Sequence, residues 1–173
     1  MAAENLIIER YLLAIDVYFE KSEYFEGRKL LEEALFVDPL NGLLHSYLGW
    51  YYYTQLSDFN RADRHYKLAL EANYTHPGVY LNYANVLRQL HKYEEAIALC
   101  ERGLSAAGVE GAMMYYEMAF TYELLGKFKV AQKAAESGLK IVQNDELGRA
   151  LDQTRRRAKS KLLRFATWQV LTL

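Results

Sequence analysis

Small residues recur along this chain at a nearly constant interval. Gly27, Ala62, Ala96 and Ala131 are 35, 34 and 35 residues apart. A second series, Ala34, Ala69, Gly103 and Gly138, follows seven residues behind with the same intervals, and an aromatic series, Tyr24, Phe59, Tyr93 and Phe128, runs three residues ahead. Self-similarity at this period is produced by stacked helix pairs, each of which buries its apolar face only against its neighbours. Small side chains at helix crossings let the axes approach, and an aromatic one turn earlier fills the adjacent gap. The period therefore constrains the fold before any single residue does.

Local patterns agree with paired helices. In the second period Leu44, Leu48, Tyr51, Tyr52 and Gln55 follow helical spacing, and Phe59, Ala62, Tyr66, Ala69 and Leu70 follow it again. Leu56-Ser57-Asp58 is the turn between them, and Asp58 is the expected N-cap of the second helix. Equivalent breaks fall near Ser22-Glu23, His91-Lys92 and Gly126-Lys127. Asp38-Pro39, His76-Pro77-Gly78, Gly108 with Gly111, and Gln143-Asn144-Asp145 separate the pairs. The pattern predicts helices at about 4–21, 24–37, 41–56, 59–73, 78–90, 93–107, 111–125, 128–142 and 145–168.

Composition narrows the class further. Hydrophobic residues make up 51% of the 173 and charged residues 25%, which suits a packed chain rather than a disordered one. The single Cys100 rules out an internal disulfide, and its place in an apolar stripe predicts a buried thiol. Leu6-Ile7-Ile8 is followed at once by Glu9 and Arg10 and has no basic lead, so no signal peptide is expected. No stretch is apolar enough for a membrane span, and the expected location is the cytoplasm. The net charge of −1 conceals an asymmetry: residues 1–148 carry 14 basic and 21 acidic side chains, residues 149–173 seven and one.

The repeats resemble the tetratricopeptide repeat (TPR) family, whose first helix carries W-x2-L-G-x2-Y and whose second carries A-x3-F. The second repeat reads His45-x2-Leu48-Gly49-x2-Tyr52, then Ala62-x3-Tyr66; the third reads Tyr80-x2-Tyr83-Ala84-x2-Leu87, then Ala96-x3-Cys100. The fourth reads Tyr115-x2-Met118-Ala119-x2-Tyr122, then Ala131-x3-Ala135, and the first opens with Tyr11-x2-Ala14-Ile15-x2-Tyr18. The second repeat has one extra residue in its turn, and the last two lack the late proline. The resemblance implies an all-α fold, a right-handed superhelical stack of antiparallel helix pairs. Residues 1–144 would form four pairs (about 8–38, 42–76, 77–110 and 112–144), and 145–173 a capping helix with an apolar tail.

The resemblance also implies where a partner would lie, because the first helices of TPR pairs line a concave face. Carried onto this chain, the candidate contacts are Leu12, Asp16, Phe19, Trp50, Tyr53, Leu81, Asn85, Arg88, Tyr116 and Phe120. Glu9, Glu20 and Glu123 share that face. Asn85 and Arg88 alone do not make a lysine-rich clamp for a terminal carboxylate, so an apolar or aromatic peptide segment is the expected ligand. The expected function is non-catalytic protein–protein interaction, as an adaptor. Alternatives are a small TPR chaperone for a secreted client, or a self-assembling unit with the tail in its own or a neighbour's groove.

Other chemistries find little support. His45, His65, His76 and His91 are scattered without metal-ligand spacing, and His65 and His76 read as solvated residues near helix ends or surfaces. Gly126-Lys127 lacks a phosphate-cradling loop, and no enzyme activity or cofactor is expected. The helix at 145–168 has an apolar stripe, Leu147, Leu151, Thr154, Ala158, Leu162 and Phe165, and a basic side with Arg155, Arg156, Arg157, Lys159, Lys161 and Arg164. That side reads as a solvated cap face. Nucleic acid is disfavoured by the acidic body. The remaining apolar end, Trp168, Val170, Leu171 and Leu173, is expected to pack into a groove and to permit homo-oligomers.

Overall fold

A computed structural model describes residues 2–171, with side chains described for 5–164. Among these residues there is no strand. The helices are α1 (Ala2–Glu20), α2 (Tyr24–Val37), α3 (Gly42–Thr54), α4 (Phe59–Glu71), α5 (Pro77–Gln89), α6 (Tyr93–Leu104), α7 (Gly111–Leu124), α8 (Phe128–Leu139) and α9 (Asp145–Leu171). The fold is all-α, as the period requires. The chain falls into two compact units, Met1–Thr75 and His76–Leu173.

In the first unit α1 packs on α2, α2 on α3 and α3 on α4. Ile15, Leu31, Leu44, Leu48 and Tyr66 are sealed from solvent, as are the small residues Ala34, Ala62 and Ala69 that let them approach. In the second unit α5 through α9 pack consecutively, with further contact of α7 on both α5 and α9. Val86, Leu87, Met114, Cys100 and Leu151 fill its interior beside Ala96, Ala119, Ala131 and Ala135. Of the expected stripe on α9, Leu147, Leu151, Thr154 and Ala158 are buried and Leu162 is half-buried. The side chains of Phe165, Trp168, Val170, Leu171 and Leu173 lie outside the described residues.

The turns inside the pairs keep the same beat as the core. Ser22, Ser57, His91 and Gly126 all have left-handed backbone, with φ of 61°, 51°, 58° and 71°. Such a residue ends a helix by turning the next amide back onto the last turn. Glu23 N–H donates to Tyr18 O, Lys92 N–H to Leu87 O and Lys127 N–H to Tyr122 O, each reaching five residues back. In the second pair the closing bond runs from Asp58 N–H to Tyr52 O, six residues back. The extra residue of that repeat is thus absorbed inside one hydrogen-bonded loop. Asp58 caps α4 as expected, its carboxylate accepting from Arg61 N–H at 3.0 Å. Asn41 caps α3 through Leu43 and Leu44 N–H, and Asn144 caps α9 through Glu146 and Leu147 N–H.

The two histidines of the first unit correct the sequence reading. His65 is not solvated; its ring lies parallel to Tyr52 at 5.4 Å and its Nδ1 is 3.1 Å from His45 Nδ1. His45 Nε2 lies 3.0 Å from Pro39 O. With Nε2–H donating to that carbonyl, His45 Nδ1 is left to accept from His65 Nδ1–H. Burial, then the neighbouring His45, Arg64 and Arg61, lowers the His65 pKa to about 4. His76, in turn, accepts from Gly78 N–H and starts α5 ahead of Pro77.

Candidate functional site

The first unit gathers four rings where α1 and α3 face the same side. Phe19 lies 5.4 Å from Trp50, 5.6 Å from Tyr24 and 5.8 Å from Tyr47, and Tyr24 lies 5.7 Å from Trp50. Most of these contacts are edge-on, the arrangement favoured by the ring quadrupole. All four rings are half-buried, so each is held by its neighbours yet keeps part of its surface in solvent. Tyr47 OH donates to Asp16 Oδ1 at 3.0 Å. Burial, reinforced by Asp16, pushes the Tyr47 hydroxyl up to about 12, so it remains a donor at any physiological pH. Leu12 is half-buried one turn before Asp16. Tyr53 does not join the cluster; it packs at 6.3 Å on Phe59.

The second unit holds its five candidates in a different state. Asn85 Nδ2 donates to Leu81 O at 2.9 Å, while Arg88 donates to both Asn85 Oδ1 and Glu117 Oε2. Glu117 is buried, and burial raises its carboxyl above the ordinary range although Arg88 opposes the shift. Arg88 also lies over the Phe120 ring at 4.8 Å, and Tyr116 stacks on Phe120 at 6.4 Å. Arg88 is therefore charge-compensated within the chain.

From α9, Arg157 Nε lies 2.7 Å from both oxygens of Glu123, and Lys161 Nζ is 2.7 Å from Oε1. Burial resists ionisation of Glu123, but the hydrogen bonds from Arg157 and Lys161 prevail and hold its pKa below the ordinary value. Arg157 also approaches the Phe120 ring, at 5.8 Å. The basic side of α9 is thus only partly the solvated face expected, because two of its cations are drawn onto a carboxylate of α7. A cleft of about 360 Å³ is lined by Glu110, Met113 and Tyr116 together with Leu147 and Ala150 from the start of α9.

Sequence reasoning singled out Phe19 and Trp50, which do meet, but missed Tyr24 and Tyr47 as members of the same cluster. Tyr24 was absorbed by the structural aromatic series, and Tyr47 stands three residues before Trp50, a spacing that places both on one helix face. Glu117, Arg157 and Lys161 were missed as ion-pair partners because they join residues on different helices. Cys100 is buried as expected, and burial first of all pushes its thiol up to about 12. Among the described residues no group of three or more His, Cys, Asp or Glu could hold a metal, and no helix is long and apolar enough to cross a membrane.

Paired helices on a 34–35-residue beat, with small residues at the crossings and left-handed turns in step with them, give this chain the fold seen in tetratricopeptide-repeat proteins. Residues 77–108 match the family model described as tetratricopeptide repeat. Among solved structures, PilF of Pseudomonas aeruginosa is similar with a TM-score of 0.72 and 19% identity, over 95% of this chain and 78% of that one. YrrB, described as a TPR protein with an unusual peptide-binding site, gives 0.71 and 21% over 83% of this chain and 73% of its own. A MamA protein gives 0.72 and 19% over 90% and 88%. At these identities the likeness is one of fold. No curated protein sequence matches the chain.

Proposed function

We propose that this chain is a non-catalytic docking module that holds an apolar or aromatic peptide segment of a partner protein against its first helices. In this reading α1/α2, α3/α4, α5/α6 and α7/α8 are four repeats, and α9 is the cap. Leu12, Asp16, Phe19, Trp50 and Tyr53 are contacts of the first unit; Leu81, Asn85, Arg88, Tyr116 and Phe120 are contacts of the second. The observation that carries the proposal is the half-buried ring cluster around Phe19 and Trp50. A core aromatic is sealed, whereas an anchor site keeps preorganised ring surface open to a partner. TPR proteins as a class serve protein interaction, and YrrB is described as having a peptide-binding site. The lone buried Cys100 fits a reducing cytoplasm.

Affinity capture from the native cell, with wild-type and Trp50→Ala chains side by side, tests the reading. We expect at least one partner recovered by the wild type and reduced several-fold by Trp50→Ala, with the thermal melt little changed. Equal recovery by both, or collapse of the fold on substitution, would refute the role given to this face.

A further inference from the structure

The second unit contains a complete recognition motif assembled from its own residues. The Arg88 guanidinium lies over the Phe120 ring at 4.8 Å and is hydrogen-bonded to Glu117. Arginine, aromatic face and carboxylate together satisfy one another, because the ring takes the flat cation and the carboxylate takes its N–H donors. The first unit carries two of these three parts on its first helices and lacks the third. Its rings are Phe19, Tyr47 and Trp50, and its carboxylate is Asp16.

Three features leave that position short of a cation. Asp16 Oδ1 is taken by Tyr47, and no hydrogen bond to its Oδ2 is formed among the described residues. Glu9 and Glu20 lie seven residues before and four after Asp16, which places all three on one stripe of α1, and all three are exposed. Among the described residues none of the three is in an ion pair, whereas Glu117 and Glu123 of the second unit both are. The surroundings do not supply the charge either: residues 1–75 hold 12 acidic and seven basic side chains. Tyr47 stays protonated and fixes the Asp16 carboxylate beside the rings.

We infer that the partner segment docking on α1 and α3 is cationic, and that it presents an arginine to Asp16 and the Phe19–Trp50 rings, with apolar residues to either side. This deepens the proposed function and rests on it. Arginine fits better than lysine because its planar fork can stack on a ring and still bond a carboxylate, as Arg88 does.

The test is selection from a random dodecapeptide phage library on the full chain. We expect enriched peptides to be net positive, with an arginine within about four positions of an aromatic or aliphatic residue, the distance over which side chains share one site. On the Asp16→Asn, Glu20→Gln chain the arginine preference should vanish. On a Glu26→Gln, Glu33→Gln chain, which loses the same charge from exposed positions of α2, it should persist. The most enriched peptide should bind the wild type about tenfold more tightly than its Arg→Gln analogue by fluorescence anisotropy, and equally to it on Asp16→Asn. All four substitutions are at exposed or solvent-facing carboxylates, and a thermal melt verifies that each chain is folded. Enriched peptides without arginine, or an arginine preference unchanged by Asp16→Asn, Glu20→Gln, would overturn this inference and leave the docking module standing. No enrichment on any chain would overturn both.

Discussion

The glycine that opens the small-residue series is expected to behave unlike a glycine elsewhere in a helix. Gly27 and Gly148 each occupy the fourth residue of their helices, α2 and α9. Replacing a helical glycine with alanine ordinarily stabilises by about 0.5–1 kcal/mol, through the restricted unfolded chain. A Cβ at Gly148 would meet only Val142, at 3.6 Å, an ordinary contact. A Cβ at Gly27 would lie 2.6 Å from Phe19 Cδ1 and nearer still to Cε1, so the ring would have to move by roughly 1 Å to restore carbon–carbon contact distance. Phe19 is in contact with Tyr24, Tyr47 and Trp50, so a shift of its ring disturbs those pairs. Overpacking of this kind costs about 1–3 kcal/mol, and each disturbed ring pair a further ~0.5–1.5 kcal/mol. The helix gain offsets only part of this. Gly27→Ala should therefore destabilise by about 1–3 kcal/mol, a fall of roughly 2–10 °C for a chain of this size, while Gly148→Ala should raise the melting temperature by roughly 1–4 °C. Circular dichroism at the helix band reads both. Trp50 emission, in a Trp168→Phe background, should shift only for Gly27→Ala. If Gly27→Ala raises the melting temperature as much as Gly148→Ala does, the close approach of Phe19 is wrong and the cluster is looser than described.

Acid should weaken the first unit through its histidine pair. His65 has a folded pKa of about 4 against an ordinary 6.5, so its neutral form stabilises fully above pH 6.5 and that stability is lost as pH falls toward 4. The span corresponds to about 3 kcal/mol, reduced to roughly 1–2 kcal/mol by solvent around a half-exposed ring facing His45, Arg61, Arg64 and Tyr52, with Glu32 sharing its cleft. Urea melts from pH 7 to 4 should show this loss and His65→Phe should flatten it; parallel curves would refute the assignment. Ser22→Gly and Ser57→Gly should each stabilise by up to ~1 kcal/mol in urea melts, because both serines hold the left-handed backbone that Gly126 adopts freely. Native Cys100 should resist alkylation at pH 8 and react at once in denaturant; rapid labelling of the native chain, followed by mass spectrometry, would contradict its burial.

How far the sequence led depends on whether a property is periodic. The crossings at Ala62 and Ala131 and the turns at Ser57 and Gly126 repeat with the helix pairs, so one chain displays them four times. Phe19 and Trp50 were accessible for the same reason, since a known register assigns each a helix face. Pairwise chemistry is not periodic. Arg88 reads as a ligand-facing cation until Glu117 arrives from another helix, and Arg157 as a solvated one until Glu123 does. His65 reads as a surface histidine because its partner, His45, stands where the family pattern has tryptophan. Nothing in the spacing says that two imidazoles meet there at 3.1 Å.

The wide closure between Tyr52 and Asp58 has a consequence for how such a chain can vary in length. The additional residue lies between the last core position of α3 and the left-handed Ser57, and the helices on either side keep their registers. Insertions and deletions there are decoupled from the stack, so this joint acts as a buffer where the reading of a repeat can slip by one without moving a buried side chain. Counted from either helix of the pair, the interval that spans this joint is 35 residues, Gly27 to Ala62 and Gly49 to Ala84. Residues 54–56 are accordingly the place in the first unit to lengthen, shorten or label the chain while Phe19 and Trp50 stay where they are.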